Sequence, residues 1–143
     1  IKTVRRGSEM EKLLRRIELS EDAECAPGAD RKDILLCNRK LNVEGLPEIP
    51  EAWQGLLAKH NGIYCDGAEV FAVPPAESPF SDVLQMNRDI VWEQNDGVLL
   101  LGQNESDVLA YDDGVYLILE RGSEEVRHQT GDAETAAGYI LRL

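Results

Sequence analysis

The run from Val98 to Thr130, VLLLGQNESDVLAYDDGVYLILERGSEEVRHQT, decides the fold. It divides into four short segments, VLLLGQ, DVLAYD, VYLILE and EEVRHQ, rich in residues that suit a pleated sheet and separated by NES, DG and RGS. Asp113-Gly114 is the strongest of these breaks, because a tight hairpin wants a positive φ that Gly and Asp tolerate. Four strands joined by loops this short must run antiparallel, so this part reads as a meander.

Outward from the meander the pattern turns helical. Asp132 caps a closing helix that buries Ala133, Ala136, Ala137 and Ile140. Upstream, PPAESP is a rigid loop leading to Ser81, the expected cap of a helix with Val83, Met86, Asn87 and Ile90 turned inward. A single strand is expected from Tyr64 to Val73. Before it, PEAWQGLLAKHNG has Pro50 at its first turn, Glu51 near the positive end of the helix dipole, Lys59 near the negative end and Asn61-Gly62 as a stop. Trp53, Leu56, Leu57 and His60 share its inner face.

Further upstream, Asp30 caps a helix whose inner face is Ile34, Cys37 and Leu41, and SEDAECAPG reads as loop. Ser8 and Glu11 form a capping box ahead of Met10, Leu13, Leu14 and Ile17, so residues 9–18 read as an amphipathic helix with Arg15 and Arg16 outward. The expected product is one α+β domain over 1–143, with a helical region at 1–44. Its sheet is antiparallel or mixed, with the N-terminal helices and a C-terminal helix packed on one side.

Composition narrows the function classes. Apolar residues make up 43% and charged residues 29% of the 143, the balance of a globular chain and not of a disordered one. No run approaches the roughly 20 apolar residues of a membrane span, and the basic start IKTVRRGSEM is not followed by a signal-type apolar stretch, so a cytoplasmic location is expected. Cys25, Cys37 and Cys65 are odd in number and lack a CxxC pair, which argues against a disulfide framework and a zinc site.

The net charge is −12 and uneven. Residues 1–60 hold eleven Lys or Arg against eleven Asp or Glu, while 61–143 hold four against sixteen, so the whole excess lies in the second part. Such a field repels nucleic acid and anionic lipid and attracts a basic protein or a cation, although on charge alone the bland reading, a solubility surface, is the stronger.

Motifs for dedicated chemistry are missing: GxxxxGK[ST], GxGxxG, HExxH and DxDxDG do not occur. His60 with Cys65 and Asp66 is the one nucleophile constellation worth weighing. The bland reading, a structural His on a capped helix, outweighs it. Asp112-Asp113-Gly114 and Glu105-Ser106-Asp107 could chelate calcium loosely, but a turn uses Asp and Gly for backbone reasons in any case. No catalytic residue, metal ligand or cofactor is therefore assigned, and an enzyme is not expected.

The runs GLPEIPEAWQGLLAKHNGIYCDGAEVFAV, DVLQMNRDI and VLLLGQNESDVLAYDDGVYLI resemble the SUKH superfamily over about residues 45–143. That family shows a similar order of parts: a Leu-Pro start, a helix ending in Asn-Gly, a strand, a helix bearing Asn, and a Leu-rich strand into Asp-Gly hairpins. The Arg-rich helix at 9–18 and the loop around Cys25 depart from its pattern. The resemblance implies an antiparallel sheet with helices on one side and a protein that works by binding. The bacterial members resemble immunity proteins that neutralise toxins; a regulatory or scaffold module of the cell-wall-assembly-regulator type is the alternative, and a small-ligand binder or enzyme comes third. On that reading the partner is a basic toxin domain. The expected contact residues are Trp92, Glu93, Asp96, Glu105, Asp107, Asp112 and Asp113, acids in loops of the sheet with one aromatic, Trp92, that reads equally as a plug of the sheet and as an interface anchor.

Overall fold

The computed structural model describes residues 2–143, with side chains from residue 9 onward. Seven strands form one sheet in chain order, every neighbouring pair antiparallel: β1 Ala23–Cys25, β2 Ile63–Cys65, β3 Ala68–Val70, β4 Leu99–Gln103, β5 Asp107–Asp112, β6 Val115–Glu120 and β7 Val126–Thr130. Five helices accompany them among the described residues: α1 Lys2–Leu19, α2 Arg31–Val43, α3 Glu51–Lys59, α4 Val83–Asp89 and α5 Ala133–Leu141. The α+β class and the antiparallel sheet stand as expected from the sequence.

The meander sets the frame. Asp113 and Gly114 both take positive φ, 43° and 87°, which matches the right-handed twist of the strands they join. Register then puts Tyr116, Ile118, Leu109 and Leu99 on one face, with Val70, Ile63 and Cys65 continuing it through β3 and β2. α5 packs across β3, β5, β6 and β7 on this face, and α1 packs on α5. Trp53 of α3 meets the Tyr116 ring at 5.7 Å, and Tyr116 meets Tyr111 at 5.1 Å, an aromatic file running from α3 to the hairpin. On the opposite face Leu100, Val108, Ala110 and Leu119 are also buried, and Ile90 and Trp92, from the segment between α4 and β4, pack against the core.

Four side-chain amides finish what the strands leave open. β3 reaches only Gly102 and Gln103 of β4, so Leu100 has no strand on that side. Asn87 of α4 takes its place: its Oδ1 accepts from the Leu100 N–H and its Nδ2 donates to the Leu100 carbonyl, both at 2.8 Å. Asn61 does the same for Val73, at 2.8 and 3.0 Å. Asn38 accepts from the Ile49 N–H, while Asn104 accepts from Ser106 and Asp107 and donates to the Ile140 carbonyl. Gly102 is required where β4 bulges, because a Cβ there would lie 2.6 Å from the Glu69 carbonyl oxygen.

Several sequence expectations are corrected. The strand expected over Tyr64–Val73 is a hairpin, β2 and β3, turned at Asp66-Gly67 with φ of 48° and 84°. SEDAECAPG is not all loop, since Ala23–Cys25 pairs with β2. The cap of α4 is Asp82 and not Ser81; its carboxylate accepts from the Leu84 and Gln85 N–H groups. α1 starts at Lys2, so Ser8 lies inside it and not at its start; the Ser8 side chain falls outside the described residues. His60 is the half-buried residue that ends α3 and not part of its core face. No helix among the described residues is long and apolar enough to cross a membrane.

Candidate functional site

Every cation of the acidic part is already engaged. Arg88 reaches Glu44 at 3.1 Å, Arg142 reaches Glu105 at 3.4 Å, and Arg121 donates to the Asn104 carbonyl and Gln103 Oε1. Arg127 holds Asp107 at 2.9 Å and also pairs with Glu120. Hydrogen bonding from Ser123, followed by the charge of Arg127, keeps the Glu120 carboxyl below its ordinary range.

The seven expected contact residues consequently separate. Asp107 is corrected: it is 7% exposed and its charge is matched by Arg127 of β7, across β6, so it is no freely exposed loop carboxylate. Glu105 is exposed but shared with Arg142. Asp112 and Asp113 stand exposed at the β5–β6 turn, at the other end of β5 from Asp107, without a cationic partner among the described residues. The Tyr111 hydroxyl accepts from the Gly114 N–H at 3.0 Å and stiffens that turn. Asp96, exposed and likewise without a cation, precedes β4, whose first residue pairs with Tyr111 beside Asp112. Asp112 and Asp113 thus stand together at one end of the sheet, while Asp96 follows Asn95, which bonds Glu124 in the loop between β6 and β7 at the Asp107 end.

Trp92 and Glu93 belong to a second feature. With Ile90, Val91, Val108 and Glu124 they line a cleft of about 290 Å³, in which Trp92 is half-buried and Val91 is 85% exposed. The cleft is held by Glu124. Its carboxylate accepts from three successive backbone N–H groups, Glu93 at 2.7 Å, Gln94 at 3.0 Å and Asn95 at 3.0 Å, and from Asn95 Nδ2 at 3.1 Å. These bonds, that from Glu93 first, hold its carboxyl below the ordinary glutamate range. Glu124 and Val91 escaped the sequence reading. The only local sign was the acidic pair in RGSEE, because the latch joins residues about 30 positions apart.

The weighed nucleophile set is not assembled. His60 Nδ1 faces the Ala26 carbonyl at 3.3 Å and Nε2 faces Glu18 at 3.1 Å, so neither ring nitrogen is turned to Cys65. Cys65 lies on the core face at 6% exposure, and Asp66 occupies the β2–β3 turn. Among the described residues no group of three or more His, Cys, Asp or Glu is placed to hold a metal ion.

No protein-family model matches this chain, and no curated protein matches it.

Proposed function

We propose that this protein works by binding a basic protein partner through the acidic end of its sheet, as an immunity protein of the kind the SUKH resemblance implies. The observation that carries the reading is charge bookkeeping within the fold: Arg88, Arg121, Arg127 and Arg142 are all held by internal acceptors, while Asp112 and Asp113 on the hairpin, and Asp96 apart from them, have no cation to answer them among the described residues. Uncompensated carboxylates on a stiff hairpin raise the rate at which a basic surface finds the protein, and they can stand where a nuclease toxin expects phosphate. Trp92 and Val91, beside the latch at the Asp107 end of β5, form a separate apolar patch that a partner wide enough to span the sheet would also cover.

The test uses the native chain and its Asp112→Lys/Asp113→Lys variant. Each is used to capture the partner from the native host, and association with the purified partner is then followed as salt is raised. Slower association by the variant, with a flatter salt dependence, is expected, as is protection by the native chain in a growth assay with the partner expressed. Association indifferent to both salt and the reversal would remove the electrostatic basis of the proposal.

A further inference from the structure

The outer face of α2 contradicts the charge of the rest of the molecule. Its inner face, Ile34, Cys37, Asn38 and Leu41, is buried. The opposite side carries Arg31, Lys32, Leu35, Leu36, Arg39 and Val43, with Lys40 at its border. Leu35 and Leu36 are 43% and 45% exposed and Val43 is 88% exposed, three of the larger apolar side chains left in solvent. None of the four cations has a carboxylate within ion-pair distance among the described residues, although the chain carries 27 acids. Leu35 and Leu36, with Arg31, Lys32 and Arg39, line a depression of about 410 Å³, and Val43 with Arg39, Lys40 and the Glu44–Arg88 ion pair lines another of about 220 Å³ beside it.

We propose that this face docks an acidic amphipathic helical segment of another protein, its apolar side chains against Leu35, Leu36 and Val43 and its carboxylates against the flanking Arg and Lys. A face kept only for solubility would not space Leu and Val over about two turns between the charges. The apolar row requires apolar anchors, which a nucleic-acid backbone lacks. A net charge of −12 opposes approach to an extended anionic surface, whether duplex or membrane, far more than to a short segment carrying a few carboxylates. Thirteen helical residues present about 20 Å, the span of a partner helix of similar length. This surface is of opposite polarity to the acidic hairpin end, so the two can be occupied by different partners.

The probe is a synthetic fluorescent peptide of about 14 residues, with leucines at helical spacing on one side and glutamates elsewhere, titrated with the full chain and read by anisotropy. Saturable binding is expected, weakened at least about tenfold by Leu35→Ser/Leu36→Ser, by Lys32→Glu/Arg39→Glu, and by a rise in salt that shortens the screening length to a few Å. The Asp112→Lys/Asp113→Lys variant should bind the peptide as the native chain does, and each variant's fold is checked by its far-ultraviolet circular dichroism. Failure of the acidic peptide to saturate would overturn the proposal. So would equal binding of a peptide with serines in place of the leucines, or equal binding of a short DNA duplex or of phosphatidylserine vesicles.

Discussion

Replacing Asn87 by Ala should be among the most damaging single changes outside the aliphatic core. The amide of Asn87 is 9% exposed and is the sole strand-like partner of Leu100 on the side that β3 does not reach. Truncation leaves the Leu100 N–H and carbonyl unpaired in a residue only 2% exposed. Each unsatisfied buried backbone group costs about 1–3 kcal/mol, so the pair costs about 2–6 kcal/mol, a large part of the roughly 5–15 kcal/mol that holds a domain together. Urea unfolding followed by circular dichroism should show the lower midpoint with an unchanged slope. Asn87→Asp sharpens the test. When protonated, the introduced carboxyl can donate to the Leu100 carbonyl and accept from its N–H, as the amide does. When ionised, it faces that carbonyl with a buried charge. Burial raises its folded pKa above the unfolded value of about 3.9. The stability of this variant is therefore present below that unfolded value and lost as pH rises through the raised folded one. Its deficit against the native chain, taken at each pH, should be smallest in mild acid and widen toward neutrality. A cost below about 1 kcal/mol for Asn87→Ala, within the net worth of one ordinary hydrogen bond, or a pH-independent deficit for Asn87→Asp, would refute the role given to this amide.

Leu57→Ala, at a site 1% exposed, should cost about 2–5 kcal/mol in the same unfolding assay. It should leave partner affinity intact once the folded fraction is accounted for, and loss of binding without loss of stability would misplace α3. Glu124→Ala should reduce hydrogen-exchange protection at the Glu93, Gln94 and Asn95 amides while β5 and β6 keep theirs; equal protection in the variant would show that the latch is incidental. Because the Glu124 carboxyl sits below its ordinary range, its contribution is present above the unfolded pKa of about 4.3 and lost as pH falls through the lowered folded value. The native chain in acid should therefore show the same selective loss of protection. Burial above all pushes the Cys37 thiol up to about 12, so it should resist a thiol reagent at pH 8 until the chain is unfolded, and prompt native-state labelling at Cys37 would contradict its placement.

The parts that read correctly from the chain were those whose signal is local. Asp113-Gly114 between two six-residue apolar runs marked its hairpin, and the Ala-rich segment after Asp132 marked α5. The same Asp-Gly signal at Asp66-Gly67 was hidden, because strands of only three residues on either side merge into one apolar run. Ala23–Cys25 is a strand only because β2 lies beside it, and no pattern of its own announces that. Among the site residues, position in a turn correctly exposed Asp112 and Asp113. It misplaced Asp107, whose neighbour in space, Arg127, is twenty positions away and two strands over. Charge asymmetry was legible as a count, but its basis was not, since the four cations find their acceptors only in the folded chain.

The side-chain amides at the sheet margins also govern how the protein tolerates being crowded with its own copies. An unpaired row of backbone N–H and carbonyl groups is a template on which another chain can lay a strand and begin to aggregate. Here Asn87 fills the open stretch of β4 and Asn61 fills that at Val73, so neither stretch can recruit a neighbour. The two true margins are poor templates for different reasons: β1 offers only three residues, and β7 is bulged opposite Ile118 and Leu119 and guarded by Arg127. A sheet left open at both sides can thus stay monodisperse at high concentration without the closure that a barrel would need.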